Sequence, residues 1–160
     1  MSLIASILTR ANVVAELDAT SKKRIFEEAA ILFEAQQGLA RSLVFEKLFA
    51  RERLGSTGLG HGVAIPHCRI EGLNEVTGAF IRLTTPIPFD AVDDEPVKLI
   101  FVLLVPCDAN DTYLHILAEL AQMFSGPVFC ERLLAAADAD ALHTLLTGCQ
   151  PNPETDTPTH

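Results

Sequence analysis

The stretch from Val97 to Val105 reads Val-Lys-Leu-Ile-Phe-Val-Leu-Leu-Val, and it restricts the fold more than any other segment. A strand with one face in water alternates apolar and polar residues, whereas a strand buried on both faces is apolar almost throughout. With Lys98 its only polar residue, this segment is of the second kind and needs cover on both sides. Helices packed against a sheet supply that cover, so the predicted class is α/β (α+β), a mixed β-sheet flanked by α-helices. The run is far below the roughly twenty apolar residues of a membrane-spanning helix.

The flanking segments fit the same layered plan. Ser21 is an N-cap candidate for a helix whose apolar residues Ile25, Ala29, Leu32 and Phe33 recur at helical spacing, with Gly38 as its stop. A second helix from Ser42 buries Val44, Phe45, Leu48 and Phe49 and ends at Gly55, leaving Glu46, Lys47, Arg51 and Glu52 on its polar side. Arg51 and Arg53 then sit in its last turn, where cations complement the helix dipole. Strands are expected over Val63–Ile65 and Val76–Thr84, the latter closed by Pro86-Ile-Pro88, with a charged turn over Ala91–Pro96. After Pro106, the residues Asp108, Asn110 and Asp111 offer caps for a helix carrying Leu114, Leu117, Ala118, Ala121 and Phe124 on one side. Two short helices follow, from Pro127 and from Asp138. Residues 1–149 form one predicted domain, and the polar, proline-bearing residues 150–160 a flexible C-terminal tail.

Composition excludes some functions. Asp and Glu number 21 against 12 Lys and Arg, a formal charge of −9, which is the wrong sign for neutralising nucleic-acid phosphates. Cys68, Cys107, Cys130 and Cys149 are scattered without a paired motif, as in a reducing compartment, so free thiols and a cytoplasmic location are expected. No secretory leader or membrane segment is visible.

Chemistry concentrates between Gly55 and Arg69, Gly-Ser-Thr-Gly-Leu-Gly-His-Gly-Val-Ala-Ile-Pro-His-Cys-Arg. Gly58, Gly60 and Gly62 alternate, which would let neighbouring backbone N–H groups aim into one anion-binding concavity; a plain glycine-rich turn between helix and strand is the competing reading. His67 follows Pro66, whose fixed φ delivers the imidazole stiffly at a strand end. A neutral imidazole near its ordinary pKa of about 6.5 is a competent nucleophile. His115 lies one turn into the helix after the most apolar strand, a region where ligands gather in open α/β sheets; a capped surface histidine is the alternative. His61, His67, His115 and Cys68 also raise a zinc site, but no HExxH, HxH or paired-cysteine spacing supports one. Cys68, next to His67, reads as a buried inert thiol on the opposite face of the strand.

Arg51-Glu-Arg-Leu-Gly-Ser-Thr-Gly-Leu-Gly-His-Gly-Val-Ala-Ile-Pro-His67 resembles the active-site signature of fructose/mannitol-type enzyme IIA domains of the bacterial phosphoenolpyruvate-dependent phosphotransferase system. The resemblance continues at Ser21–Arg24, Pro86–Asp90, Pro96-Val97, Leu103–Pro106 and the Leu-His-Ile-Leu-Ala context of His115, and covers about residues 3–148. Within that family the chain is most similar to the free-standing nitrogen-regulatory type. The resemblance implies that His67 accepts a phosphoryl group, on Nε2, from an HPr-like phosphocarrier (NPr), and that the phosphorylation state is read by partners such as potassium-transport or sensor-kinase proteins. A phosphoryl group brings nearly two negative charges and needs donors. These are expected from the N–H groups of Gly58, Gly60 and Gly62, from Ser56 or Thr57, from His115 and from Arg51. No metal is expected, and no cofactor beyond the phosphoryl group that phosphoenolpyruvate ultimately supplies. A sugar-specific enzyme IIA serving a separate IIB, and a metal-binding or non-catalytic interaction module, are the alternatives.

Overall fold

The computed structural model describes residues 3–109 and 111–148; the predicted tail at 150–160 and the cap candidate Asn110 lie outside them. Helices α1 (Leu3–Ile7), α2 (Lys22–Gln37), α3 (Arg41–Leu54), α4 (Thr112–Phe124), α5 (Pro127–Ala135) and α6 (Ala139–Gly148) pack on strands β1 (Val13–Leu17), β2 (Gly58–Gly60), β3 (Val63–Ala64), β4 (His67–Ile70), β5 (Thr77–Ile87) and β6 (Val97–Pro106). The sheet runs β1-β5-β6-β3-β2, with β4 also pairing β6. β1 is parallel to β5, β5 antiparallel to β6, and β3 and β4 both parallel to β6.

β6 is covered on both faces, as its composition demands. Leu99, Phe101, Leu103 and Val105 face α1, α4, α5 and α6, meeting Ile116, Leu120, Phe124, Leu133 and Leu142. Ile100, Val102 and Leu104 face α2 and α3, meeting Phe26, Phe33 and Leu48. The α2–α3 hairpin follows its sequence signals closely. Ser21 Oγ accepts from Arg24 N at 3.2 Å, and Gly38 ends α2 at φ 70°, a left-handed conformation that a side chain would strain.

Three expectations change. Of the predicted apolar side of α4, Phe124 is in the core and Leu117 packs partly buried against it, but Ala118 and Ala121 are exposed and Leu114 is 49% exposed. The buried residues are Ile116, Leu120, Met123 and Phe124. α4 is apolar nearly all round, so periodicity alone does not choose the buried stripe. β5 continues through Pro86 to Ile87, because a register shift after Arg82 relieves the proline of a ladder hydrogen bond. Glu52, expected on a polar face, is buried.

Candidate functional site

β3 and β4 are one strand interrupted at Ile65-Pro66. Val63 and Ala64 pair with Leu99 and Ile100, and His67 to Ile70 pair with Leu103 to Pro106. Leu103 N still donates to Pro66 O at 2.9 Å, so the chain stays on β6 across the interruption. On the other edge, Ile65 N donates to Thr57 O at 3.0 Å. His67 therefore opens β4 rather than ending β3, next to a gap in the sheet edge.

A pocket of about 390 Å³ occupies that gap. Arg51, Ser56, Thr57 and Gly58 wall it from the end of α3 onward, and His67 lines it with Ile65. Leu117, Ala118 and Ala121 close it from α4, Leu117 also packing against the core while Ala118 and Ala121 stay exposed. His67 is half-buried, and its Nδ1 lies 2.9 Å from Ile65 O. A carbonyl only accepts, so Nδ1 carries the proton and Nε2 keeps a free lone pair. Burial pushes the His67 pKa below its ordinary value; the Ile65 hydrogen bond opposes this, Arg51 adds to it and Glu52 opposes it. Both effects that win favour the neutral, nucleophilic ring.

Arg51 is half-buried and donates from Nη1 to Gly55 O at 2.9 Å. Ser56 Oγ donates to Phe89 O at 2.6 Å and accepts from Gly58 N at 3.1 Å. Gly58 admits no side chain here, since an added Cβ would lie 2.8 Å from Ala91 Cβ. Thr57 gives both of its donors to Glu52, Oγ1 at 2.7 Å and N at 3.2 Å. Glu52 in turn pairs with Lys22 Nζ at 2.8 Å.

The glycine-rich loop is not a three-amide nest. Gly58 to Ala64 is a β-hairpin turned at His61 and Gly62, with φ of 59° and 80°, as a two-residue type I′ turn requires. Gly60 and Gly62 sit at the hairpin tip and do not line the pocket. The exposed His61 donates its N–H to Asp93 Oδ2 at 2.8 Å, so the chain's own carboxylate takes the anion's place. That bond and one from Glu95 N hold the Asp93 carboxyl below the usual range.

His115 is exposed on α4, three residues before Ala118, and is not among the pocket-lining residues. Its neighbour Tyr113 instead faces β4, where the Arg69 guanidinium stands 4.9 Å from its ring centre. The alternative zinc set is not assembled: among the described residues no three His, Cys, Asp or Glu side chains converge. Cys68 is buried on the α2–α3 face, and burial pushes its thiol up to about 12. No helix among the described residues is long and apolar enough to cross a membrane.

Sequence reasoning missed Glu52 and Lys22. The signal was present, since a carboxylate in the last turn of a helix opposes the dipole and calls for a partner. It also missed the His61-Gly62 turn, a pair whose second member tolerates positive φ.

The comparisons with known proteins agree with this architecture. The family profile "Phosphoenolpyruvate-dependent sugar phosphotransferase system, EIIA 2" matches residues 6–148. A nitrogen regulatory protein of Escherichia coli K12 is 39% identical over 152 residues, covering 94% of this chain and 93% of the relative. One from Pseudomonas aeruginosa is 40% identical over 157 residues, covering 94% and 98%. The crystal structure of nitrogen regulatory protein IIA-Ntr from Neisseria meningitidis superposes with a TM-score of 0.86 at 49% identity, covering 91% of this chain and all of that one. The mannitol IIA of Escherichia coli shares the fold, with a TM-score of 0.72 at 20% identity over 86% of this chain and 97% of that one. The chain belongs to the EIIA type-2 family of the phosphoenolpyruvate-dependent phosphotransferase system.

Proposed function

We propose that this protein is a phosphohistidine relay of the nitrogen-related phosphotransferase system, acting in the cytoplasm. It accepts a phosphoryl group on His67 from an HPr-like phosphocarrier (NPr) and regulates partner proteins according to its phosphorylation state. The observation that carries this reading is the Nδ1 hydrogen bond to Ile65, which leaves Nε2 of His67 as the nucleophile in a pocket shared with Arg51.

In the reaction, the Nε2 lone pair attacks phosphorus and forms the N–P bond. The N–P bond to the carrier's ring breaks, and its electron pair stays on the carrier nitrogen. A carrier ring protonated on its other nitrogen leaves as neutral imidazole, while His67 keeps its Nδ1 proton and takes up the positive charge, so no proton changes hands. Ile65 O then faces a cationic donor, which strengthens their bond. Such a transfer depends on positioning and charge stabilisation more than on acid–base catalysis. Arg51 supplies the cation for the transferred group, with Ser56 and Gly58 forming the adjacent wall. The regulatory rather than sugar-transport role rests on the similarity to nitrogen regulatory proteins.

The test is incubation with phosphoenolpyruvate, enzyme I and a phosphocarrier. The expected result is one acid-labile phosphoryl group, absent in His67→Ala. Phospho-NPr should be a faster donor than phospho-HPr, and onward transfer to a sugar IIB should be slow. Rapid transfer to a IIB points instead to the sugar-specific role.

A further inference from the structure

Glu52 is the one buried carboxylate among the described residues, with 7% of its surface exposed. A carboxylate taken out of water is costly unless it is paired and fully hydrogen-bonded. Here the compensation is complete and specific. Oε2 accepts from Lys22 Nζ at 2.8 Å and from Thr57 N at 3.2 Å, and Oε1 accepts from Thr57 Oγ1 at 2.7 Å. Thr57 is itself 6% exposed and lines the pocket of His67.

The residues on either side of Thr57 are tied into the same network. Ser56 bonds to Phe89 O, and Gly58 N bonds to Ser56. Lys22 Nζ stands 4.6 Å from the centre of the Phe89 ring and 3.3 Å from Asp90 Oδ2. Lys22, at the start of α2, thus anchors both the carboxylate that holds Thr57 and the segment that holds Ser56.

We propose that Glu52 is a positioning residue for phosphoryl transfer at His67, fixing the Ser56–Gly58 wall of the pocket through both donors of Thr57. The proposal rests on His67 being the phosphoryl acceptor. Thr57 then serves as the wall's attachment point, its donors being committed to Glu52, and not as a phosphate ligand.

The position can be separated from the charge by Glu52→Gln. A carboxamide oxygen at the Oε2 position accepts from Lys22 and Thr57 N. The amide nitrogen at the Oε1 position donates to Thr57 Oγ1, a hydroxyl that accepts as readily as it donates. Glu52→Ala removes all three bonds, leaving both donors of Thr57 without their acceptor and Lys22 with Asp90 and the Phe89 ring.

The experiment measures single-turnover transfer from a phosphorylated HPr-like carrier to wild type, Glu52→Ala, Glu52→Gln and Thr57→Val, with amide hydrogen exchange at residue 57 followed in parallel. A small misplacement of a positioning group can cost up to about 100-fold in rate. Glu52→Ala is expected to slow the saturated rate by about 10- to 100-fold with the carrier's half-saturation within about twofold of wild type, and to lose protection of the Thr57 amide. Glu52→Gln should recover to within about threefold of wild type, and Thr57→Val should fall between. If Glu52→Ala does not fold, the Gln and Val variants carry the test. A Thr57→Val rate equal to wild type, a Glu52→Ala rate within about threefold of it, or a Glu52→Gln rate no better than that of Ala overturns the proposal. If wild type takes up the phosphoryl group and these outcomes follow, the inference alone fails; if wild type takes up none, the functional reading fails with it.

Discussion

Nδ1 of His67 lies 2.9 Å from the carbonyl oxygen of Ile65, on the far side of Pro66. The bond spans the interruption between β3 and β4, so the same break that opens the pocket also fixes the imidazole's tautomer. Burial, the largest influence on this ring, disfavours its charged form and lowers its pKa below the ordinary 6.5. Two consequences follow in the same pH range. The transfer rate should hold steady from pH 8 to about 6.5 and fall at lower pH, as Nε2 becomes protonated. Stability should behave in parallel: below about 6.5 the unfolded chain binds a proton that the folded ring resists, so His67's contribution is present above that pH and lost as pH falls through the folded pKa. An NMR titration of the His67 ring checks both, and a midpoint at or above 6.5 would refute them.

Arg51 and His115 were both candidates for holding the phosphoryl group, and they differ in placement. Arg51 lines the pocket half-buried, whereas His115 is exposed and outside the lining. A hydrogen bond to a charged group contributes about 1.5–3 kcal/mol, equivalent to roughly 10- to 100-fold in rate. Arg51→Ala should therefore slow transfer by about that factor, while His115→Ala should stay within about threefold of wild type. Stopped-flow transfer from the phosphorylated carrier decides. Equal losses in the two variants would bring His115 into the site.

The thiols give a prediction independent of phosphoryl transfer. Burial raises the Cys68 thiol to about 12 and raises that of Cys130, whereas Cys107 is exposed. The thiolate is the reactive species, so almost none forms at Cys68 near pH 8. Alkylation of the folded protein with iodoacetamide at pH 8, mapped by peptide mass, should modify Cys107 and spare Cys68 and Cys130 until the chain unfolds. An adduct on Cys68 at a rate like that of Cys107 would show that the α2–α3 side opens readily.

Much of the architecture was legible wherever a residue had a single way to satisfy itself. Val97–Val105 could only be covered on both faces, and Gly38 could only stop a helix with a left-handed turn. His67 was legible because Ile65-Pro66 precedes it in a long family signature. The pocket's walls were less so, because their residues had several ways to be satisfied. α4 is apolar outside the stripe of His115, Glu119 and Gln122, and only packing on β6 assigns Ile116 and Leu120 to the core and Ala118 and Ala121 to the pocket, with Leu117 touching both. Gly60 and Gly62 fit an anion nest and a type I′ hairpin equally well as a string of letters. The choice is made by Asp93, more than thirty residues away in sequence, which takes the His61 N–H. Glu52 looked solvated because its partner Lys22 belongs to another helix.

Arg82 gives the last prediction, and it concerns stability. It sits mid-strand in β5 with 7% of its surface exposed, and the carboxylates among the described residues make no ion pair with it. Its partners are backbone carbonyls: Nε donates to Ala15 O at 2.9 Å, and Nη1 donates to Leu133 O and Ala136 O, each at 2.8 Å. These are a carbonyl of β1 and carbonyls at the C-terminal end of α5, where Leu133 O also accepts from Ala136 N at 3.4 Å and a cation complements the helix dipole. Arg82 thus joins β1, β5 and α5 across the face of the sheet opposite α2 and α3. In Arg82→Met the apolar stem is retained and these carbonyls lose the guanidinium, Leu133 O keeping a backbone donor in Ala136 N, at about 1–3 kcal/mol for each group left buried and unpaired. Partial access of water to α5's end reduces the sum, and a net loss of about 2–4 kcal/mol is expected. For a chain of this length that lowers Tm by roughly 5–15 °C. Arg82→Lys should recover less than half of the loss, because one ammonium cannot span carbonyls on two elements as a planar guanidinium does. Thermal unfolding followed by circular dichroism measures both variants, and a Met variant melting within about 2 °C of wild type would show that water replaces the guanidinium without cost.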